Sequence, residues 1–334
     1  MPHLLYNLLM LAVDVAAIRA GRQVSGALIN TSIALFAGSA GLVFWGWQAF
    51  GMMQAVSWLL FVHLPVLLMS HKRSRLLAIP LLLVGLDAFI VEPRWLSTST
   101  HTLPLAGLTE PVRLALVADL QTDRVGRYET RVLEALSSAE PDLVLFAGDY
   151  IQLAPGPAFE AQADRLRPLL SALSPRLGAF AVSGDVDPAP WPTLFDGTPV
   201  VAWTQSTTVD LGPLVVTGLT VDDSRSPSPP VSAQPKPHVV VGHGPDFALA
   251  APPADLLLAG HTHGGQVQLP LFGPLLTLSA VPRGWAAGGG MVALPQGGHL
   301  RVSRGIGMER AHAPRLRFLC RPELVFIELV PLEP

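Results

Sequence analysis

Two histidines that lie two residues apart, His261 and His263, are the first residues whose types and spacing suggest chemistry. They occur in the stretch AGHTHGGQ, residues 259–266. Neutral imidazole is the commonest metal ligand in proteins. In an extended stretch, side chains at positions i and i+2 point to the same side of the backbone. We therefore expect both imidazoles to face one metal centre and Thr262 to face away from it.

Other potential metal ligands follow short apolar runs that are typical of buried strands. The runs are VRLALVA (112–118), DLVLFA (142–147), GAFAVS (178–183), HVVV (238–241) and DLLLA (255–259). The residues that end them, four directly after a glycine, are Asp119, Asp149, Asp185, His243 and His261. One aspartate after a strand is usually a turn residue. Five such endings that mix Asp and His indicate a shared site, because ligands of α/β sheets bind at the carboxyl ends of the strands.

Two segments with helical spacing alternate with these strands. Residues Arg124–Ala139 carry apolar side chains at helical intervals, and Gln162–Leu173 is a second candidate helix. Strands that alternate with helices predict an α/β sheet. A Pro- and Ser-rich polar segment, residues 222–237, precedes the fourth strand and is predicted to be a loop, whose Asp222 and Asp223 are given no catalytic role.

The stretches VADLQTD, FAGDY, VSGDVDP, VVGHGPD and AGHTHGGQVQLP resemble, in order, the five motifs of the calcineurin-like metallophosphoesterases. The family pattern is Asp-x-His, Gly-Asp, Gly-Asn-His-Asp/Glu, a His after a strand, and Gly-His-x-His. The tail that contains LRVSRGIG and PRLRFLCRPELVFIEL is similar to that of the bacterial membrane-anchored, YkuE-like branch. The likeness covers about residues 111–332. It implies a sandwich of two β-sheets flanked by helices.

The resemblance also implies two divalent metal ions, with Mn, Fe, Zn or Ni as candidates. Position by position, Asp149 matches the carboxylate that bridges the ions. Asp119 and His263 match ligands of the first ion, and His243 and His261 match ligands of the second. In such a site, two ions about 4 Å apart lower the pKa of a shared water and clamp the phosphoryl oxygens for in-line attack.

Three positions depart from the family pattern. Gln121 replaces the histidine of Asp-x-His, and its amide oxygen is a poorer ligand than imidazole for a transition metal. Asp185 replaces the asparagine of Gly-Asn-His-Asp; it can ligate well but adds a negative charge. Val186 replaces the histidine that acts on the leaving oxygen, and losing a general acid costs about 10²–10⁴-fold in rate. No catalytic residue is assigned beyond the predicted metal ligands Asp119, Gln121, Asp149, Asp185, His243, His261 and His263.

Two functions of different classes fit these residues. The first is a metal-dependent phosphoester or phosphoanhydride hydrolase. Its substrate, a phosphorylated small molecule or lipid, would have a leaving group that departs without protonation. The alternative is a catalytically impaired relative that keeps the fold and binds a phosphorylated envelope ligand or a partner protein. We favour the enzyme because five motif positions retain their metal-binding residue types.

The composition indicates a membrane part. Of the 334 residues, 50% are hydrophobic and 14% are charged, with a mean hydropathy of +0.43, which is too apolar for an ordinary soluble enzyme. The uncharged stretch 23–71 is long enough for two spans with a turn near Gly51. A cleaved signal peptide is a disfavoured alternative for the N-terminus, because no charged region precedes the first apolar run. The candidate spans are 27–47, 53–70, Leu76–Val91 and Leu4–Ile18, the last weakened by Asp14.

The basic residues near these spans predict the orientation. They form two clusters, Arg19 with Arg22, and Lys72, Arg73 with Arg75. The positive-inside rule places both clusters in the cytoplasm. The chain after the last span then lies outside, so we expect a multi-pass protein of the bacterial cytoplasmic membrane with an extracytoplasmic domain.

The predicted domains are a transmembrane helical anchor (1–98), a linker (99–110) and a metallophosphoesterase domain (111–334). Residues 99–334 carry a formal net charge of −6 and no basic patch. Nucleic acid is therefore not an expected partner. The expected partners are the lipid bilayer and a phosphorylated substrate.

Overall fold

The computed structural model describes residues 2–20, 26–45, 49–70, 72–310 and 313–332. The chain divides into two compact units. The first comprises Met1–Val91 with Glu309–Leu316, and the second comprises Glu92–Met308 with Arg317–Pro334. All of the predicted metal ligands belong to the second unit.

The N-terminal part of the first unit, up to Val91, is mainly helical over the residues that the structure describes. Its α-helices are α1 (Pro2–Ala20), α2 (Gly26–Trp45), α3 (Ala49–Trp58), α4 (Leu64–Ser70) and α5 (Ala78–Leu86). Short π-helical stretches join α3 to α4 and extend α5. As a result, two helices, Phe50–Met69 and Arg75–Arg94, are long and apolar enough to cross a membrane by length and composition.

Two such helices are fewer than the three to four spans expected from the sequence. The predicted segment Leu4–Ile18 lies in α1, and the predicted segment 27–47 lies in α2 up to Trp45; residues 46–48 are outside the described part of the chain. That α1 and α2 also span a membrane stays a prediction. Gly51 itself lies inside α3, which begins at Ala49, so the predicted turn near Gly51 falls a few residues earlier, between Trp45 and Ala49, where residues 46–48 are outside the described part of the chain. A single glycine costs a helix only about 1 kcal/mol, which packing can outweigh.

A buried polar pair lies inside the first unit. Oδ1 of Asp14, on α1, is 2.7 Å from Nδ1 of His63, and both side chains are buried. Buried polar groups are costly unless they are hydrogen-bonded. The pairing therefore explains how α1 accommodates an acidic residue that the sequence analysis treated only as a weakness of this segment.

The second unit contains strands and short helices. The strands are β1 (Ser97–Leu105), β2 (Val112–Val117), β3 (Leu143–Phe146), β4 (Ala179–Ala181), β5 (Val200–Ala202), β6 (Thr207–Asp210), β7 (Val215–Gly218), β8 (His238–Val241), β9 (Leu256–Ala259), β10 (Gln268–Leu269), β11 (Gly273–Pro274), β12 (Val292–Ala293), β13 (His299–Val302) and β14 (Glu323–Pro331). The α-helices are α6 (Arg127–Ser138), α7 (Pro157–Leu170), α8 (Val221–Ser224) and α9 (Arg283–Ala286). All five strands predicted from the apolar runs are present as β2, β3, β4, β8 and β9.

Most of these strands form two six-stranded mixed sheets. Sheet 1 has the order β1-β14-β2-β3-β4-β5, and sheet 2 has the order β12-β13-β9-β8-β7-β6. Strands β2 to β5 are parallel neighbours, as are β7, β8, β9 and β13. The α/β architecture with two sheets, which the resemblance implied, is therefore present.

Side chains that alternate along the central strands form two hydrophobic cores, one on each face of sheet 1. Leu114 and Leu116 of β2 share a buried core with Val239 of β8 and Leu256 of β9, so this core lies between the two sheets. Val117 points the other way, into a core shared with α6 and α7. Burial of one such side chain stabilises the fold by about 1.5–3 kcal/mol. Both faces of sheet 1 are thereby fixed, and so are the strand ends that carry the site.

The two helices that pack against sheet 1, α6 and α7, begin at different residues from those predicted. Helix α6 starts three residues after the predicted Arg124. The side chain of Glu129 reaches back and accepts a hydrogen bond from the amide of Gly126 at 2.9 Å, which satisfies a backbone amide at the N-terminus of the helix. Helix α7 starts before the predicted Gln162, at Pro157, whose fixed backbone suits a first helical turn.

The predicted linker 99–110 is largely an edge strand. Strand β1 pairs in parallel with β14, from Ser97 opposite Glu323 to Leu105 opposite Pro331. Its polar sequence gives a weak strand signal. The partner strand lies more than 200 residues further along the chain, so local sequence patterns do not reveal the pairing.

Candidate metal centre

The candidate ligands meet where the carboxyl ends of strands from both sheets come together. Asp119, Asp149 and Asp185 follow β2, β3 and β4 of sheet 1, whereas His243 and His261 follow β8 and β9 of sheet 2. The amide of His261 donates to Oδ1 of Asp119 at 2.9 Å, which joins the two sheets at this end. The structure thus brings the five side chains that were predicted to share one site to one end of the sandwich.

The glycines before these ligands are required by close packing of neighbouring loops. A Cβ on Gly184 would lie 2.0 Å from Oδ1 of Asp149, and a Cβ on Gly260 would lie 2.8 Å from Oδ1 of Asp119. Gly148 has φ +89°, and its Cβ would lie 2.4 Å from the amide nitrogen of Gly184. These glycines allow the ligand loops to approach one another.

Most of the candidate ligands have strained backbones. Positive φ angles occur at Asp119 (51°), Gln121 (35°), Asp149 (59°), His261 (67°) and His263 (48°). Residues other than glycine rarely adopt this region. Such strain costs about 1–3 kcal/mol per residue and clusters at functional sites. The strain therefore supports a functional role for this end of the sandwich.

Asp185, His243 and His261 form the first compact group of ligand atoms. Nε2 of His243 is 3.2 Å from Oδ1 of Asp185 and 3.2 Å from Nδ1 of His261. Nδ1 of His261 is 3.5 Å from Oδ2 of Asp185. One ligand atom from each residue lies within 4.8 Å of the others, so the group can hold one metal ion.

Asp119, Asp149 and His243 form the second group. Nε2 of His243 is 3.5 Å from Oδ2 of Asp149. Oδ2 of Asp119 is buried and has no hydrogen-bond partner among the described residues. Burial raises the pKa of Asp119 to about 6, against the opposing charge of His243 and the amide of His261. A buried carboxylate oxygen without a donor is costly, and a cation beside it would remove that cost. The donor set therefore fits a divalent metal.

His243 is oriented by the backbone. Its Nδ1 donates to the carbonyl of Ala147 at 2.8 Å, which leaves Nε2 facing the carboxylates of both groups. This arrangement is typical of metal-binding histidines, whose second ring nitrogen is held by a carbonyl or a carboxylate. Burial lowers the pKa of His243, but Asp149, Asp185 and Asp119 together raise it to about 10. The neighbouring carboxylates therefore favour the protonated form of this imidazole.

Asp185 lies at the rim of the site. Burial raises its pKa, but the hydrogen bond and the charge of His243, with smaller effects of His261 and Arg225, hold the pKa below the usual range. The carboxylate is therefore ionised. Its Oδ2 accepts a hydrogen bond from the guanidinium of Arg225, a residue that the sequence analysis did not consider.

His263 and Gln121 lie outside both groups. Nδ1 of His263 is 3.5 Å from Nη2 of Arg317, and a Cβ on Gly305 would lie 3.1 Å from Nδ1 of His263 and 2.6 Å from Oδ2 of Asp119. Burial and the charge of Arg317 lower the pKa of His263 well below its usual value, so the imidazole is neutral, as a metal ligand must be. Gln121 is buried, and its Nε2 donates to Oε1 of Gln152 at 3.1 Å.

The backbone from His261 to His263 is not extended, contrary to the sequence-based expectation. Both histidines have left-handed φ angles, Thr262 has helical angles, and a short 3-10 turn begins at His263. The two imidazoles therefore lie at different places in the site. Thr262 does face away, since its hydroxyl donates to the carbonyl of Ala286 at 2.7 Å.

Asp187 is a residue whose role sequence reasoning missed. Its Oδ2 accepts the amides of Gly184 at 2.7 Å and Asp149 at 2.9 Å, and its Oδ1 accepts the amide of Tyr150 at 2.8 Å. These bonds fix the loop after β3 against the loop after β4. The available signal was its place in the quoted motif VSGDVDP, where the family pattern has Asp or Glu. The side chain of Val186 cannot donate or accept, but its amide donates to Oδ1 of Asp149 at 3.1 Å.

Comparison with known proteins places this geometry in a family. The model of the calcineurin-like phosphoesterase family matches residues 112–265. The phosphodiesterase YaeI of Escherichia coli (strain K12) is 30% identical over 254 residues, which cover 72% of this chain and 90% of that protein. The chain belongs to the calcineurin-like metallophosphoesterases. This membership makes it a hydrolase that acts on phosphoester bonds.

Two further comparisons are with a curated relative and a solved structure. The metallophosphoesterase YkuE of Bacillus subtilis (strain 168) is 26% identical over 260 residues, which cover 72% of this chain and 87% of that protein. The phosphoesterase Yfce of E. coli is 16% identical, with a TM-score of 0.32, over 61% of this chain and 85% of that one. The similarity to YkuE supports the YkuE-like branch of the metallophosphoesterases.

Proposed function

We propose that this metallophosphoesterase hydrolyses phosphoester or phosphoanhydride bonds with two divalent metal ions and is anchored in the bacterial cytoplasmic membrane. The observation that carries the proposal is the buried set of carboxylates and imidazoles at the strand ends, in which Oδ2 of Asp119 has no donor among the described residues. Two divalent ions held by these residues would supply a hydroxide nucleophile and neutralise phosphoryl charge.

The ligand assignment follows the two groups and the residues beside them. Asp185, His243 and His261 would hold one ion, as their mutual distances of 3.2–3.5 Å support. Asp119, Gln121 and His263 would hold the other, since Oδ2 of Asp119 and Nδ1 of His263 both lie beside Gly305. Asp149 would contact both ions, which its position next to both Asp119 and His243 supports. The mixture of nitrogen and oxygen ligands suits Mn, Fe, Zn or Ni.

The substrate is a phosphorylated small molecule or lipid whose leaving group departs without protonation. Val186 stands where the family pattern has a histidine, and its side chain can neither donate nor accept a proton. A good leaving group, such as a pyrophosphate or an activated ester, does not need a general acid. Alkyl esters need a general acid, and without one they should react about 10²–10⁴-fold more slowly.

The domain lies on the outer face of the membrane in this proposal. The support is the position of Lys72, Arg73 and Arg75 beside the start of the helix Arg75–Arg94 and just after the helix Phe50–Met69. Basic residues between two spans favour the cytoplasmic side of the membrane. The start of the first helix and the end of the second then lie outside the cytoplasm, and so does the domain that follows.

A panel of phosphoesters that differ in leaving-group pKa tests the proposed reaction. The wild-type protein should hydrolyse nitrophenyl and pyrophosphate substrates faster than alkyl esters, in a metal-dependent manner. The variant Asp185→Asn/Val186→His should recover alkyl ester hydrolysis. A folded, doubly metallated double variant that hydrolyses no phosphoester would contradict the proposal and favour the alternative, a protein that only binds a phosphorylated ligand.

A further inference from the structure

Arg225 lies at the rim of the metal centre. Its Nη2 donates to Oδ2 of Asp185, whose Oδ1 is 3.2 Å from Nε2 of His243. The Arg225 side chain is 41% exposed, so the guanidinium joins a predicted metal ligand to the open side of the site. The residue belongs to the Pro- and Ser-rich segment 222–237, to which the sequence analysis assigned no role.

The backbone that carries Arg225 is well positioned. The hydroxyl of Thr220 caps α8 by accepting the amide of Asp223 at 3.2 Å, and Arg225 directly follows this helix. Ser224 is buried, and its hydroxyl accepts the amide of Gly244, the residue after His243, at 3.2 Å. The aliphatic part of Arg225 packs beside Gly244, with Cγ 3.5 Å from where a Cβ on that glycine would lie. Arg225 is thus attached to the loop that holds His243.

The charges at this rim distinguish the protein from the family pattern. Asp185 replaces an asparagine and adds a negative charge where an anionic substrate must enter. The guanidinium of Arg225 neutralises that charge, and arginine has five N–H donors in a planar fork that matches phosphate oxygens. Only one of its nitrogens is engaged by Asp185. Arginine stays protonated in proteins, so it can stabilise phosphoryl charge but cannot act as a general acid.

We propose that Arg225 is a catalytic residue that binds the phosphoryl oxygens of the substrate. It supplies the positive charge that a histidine at position 186 would otherwise supply. The proposal rests on the proposed hydrolase function. It also explains why Asp185 and Val186 occur together. Asp185 holds Arg225, and Arg225 stabilises the phosphoryl charge that the missing imidazole would otherwise stabilise.

The test compares Arg225→Gln and Arg225→Lys with wild type and with Arg176→Gln in the full-length, Mn²⁺-loaded protein. Arg176 is a matched control, because it is 46% exposed and also pairs with a carboxylate, that of Asp142 at 2.6 Å. Asp142 precedes β3, so this pair lies at the opposite end of the strand from the metal centre. The measurements are bound metal per chain, the affinity for inorganic phosphate by calorimetry, and kcat/KM for nitrophenyl esters.

We expect Arg225→Gln to keep the wild-type metal content, to bind phosphate at least tenfold more weakly and to lose about 10²–10³-fold in kcat/KM. Arg225→Lys should be intermediate, and Arg176→Gln should match wild type. If Arg225→Gln keeps phosphate affinity and kcat/KM within twofold of wild type, the proposal is wrong. Loss of metal in parallel with phosphate affinity would also overturn it, because Arg225 would then act only through Asp185.

The phosphate measurement separates this proposal from the proposed hydrolase function. If the wild-type protein hydrolyses no ester but binds phosphate in an Arg225-dependent manner, the hydrolase function fails and Arg225 remains a phosphoryl-binding residue. If hydrolysis is normal and phosphate affinity is independent of Arg225, only the Arg225 proposal fails.

Discussion

At the scale of single residues, hydrogen bonds and nearby charges fix the carboxylates of the metal centre. Asp149 is central among them, because its Oδ1 accepts the amide of Val186 and its Oδ2 faces His243. Burial, with the nearby Asp187, Asp119 and Asp185 outweighing the opposite effect of His243, keeps the pKa of Asp149 well above its usual range. Such a carboxylate ionises readily only when cations lie beside it.

Asp149→Ala should therefore remove more bound metal than Asp119→Ala or His243→Ala, since a bridging carboxylate contacts both ions. Metal per chain, measured by elemental analysis after gel filtration, gives the comparison. Asp196→Ala, which removes an exposed carboxylate, is the control and should retain the wild-type content. Equal losses in the three site variants would argue against a bridging role for Asp149.

Asp187 is a second single residue that matters for the site, because it positions the loops that carry the ligands. Replacing it by asparagine turns one acceptor oxygen into a donor that faces backbone amides. Each buried group left without its partner costs about 1–3 kcal/mol, and losing a group that orients ligands typically costs about 10–100-fold in metal affinity. Asp187→Asn should thus lower both the unfolding free energy and the metal affinity. Unchanged metal affinity in a destabilised protein would show that Asp187 serves the fold alone.

At the scale of elements, a buried ion pair joins the two sheets. Arg301 on β13 donates to Oε1 of Glu323, at the start of β14, at 2.6 Å, and both side chains are fully buried. Burial raises the pKa of Glu323, but the charges of Arg301 and Arg304 outweigh it and hold the pKa below its usual value. Glu323 therefore stabilises the fold above its unfolded pKa of about 4.3, and this contribution is lost as the pH falls through the lower folded pKa.

Glu323→Gln should lower the free energy of unfolding at neutral pH by about 3–5 kcal/mol, because Arg301 would keep a buried charge without a counter-ion. Chemical denaturation of the full-length protein measures the change. Glu328→Gln is the control on the same strand: its pair with Arg113 is partly exposed at 3.3 Å, and such pairs contribute about 0–1 kcal/mol. Similar losses in the two variants would contradict this account of the buried pair.

Elements and site were predictable from the sequence to different degrees. The strands β2, β3 and β8 are mostly apolar runs, so their ends, and hence Asp119, Asp149 and His243, could be located by pattern alone. The left-handed turn at His261–His263 could not, because it depends on loops packed around it. The contact of Arg225 with Asp185 joins residues 40 positions apart and arises only when sheet 2 packs on sheet 1. Strand β1 escaped prediction because its pairing with β14 is distant in sequence.

At the scale of the whole molecule, the proposed orientation of the helix pair in the membrane predicts that the hydrolase acts outside the cytoplasm. A reporter that is active only after export should be active when it is fused after Pro334. The same reporter fused after Arg73, between the two apolar helices, should be inactive. Activity of a cytoplasm-only reporter at Pro334 would show that the proposed topology is inverted.

The central claim is that two metal ions in this centre perform the hydrolysis. The most direct measurement is hydrolysis of a nitrophenyl phosphodiester by the full-length protein, stripped of metal and then reconstituted, plotted against bound Mn²⁺ per chain. The account predicts that activity rises with metal content and reaches its maximum when two ions are bound. Full activity with one bound ion, or no activity at any metal content, would contradict it.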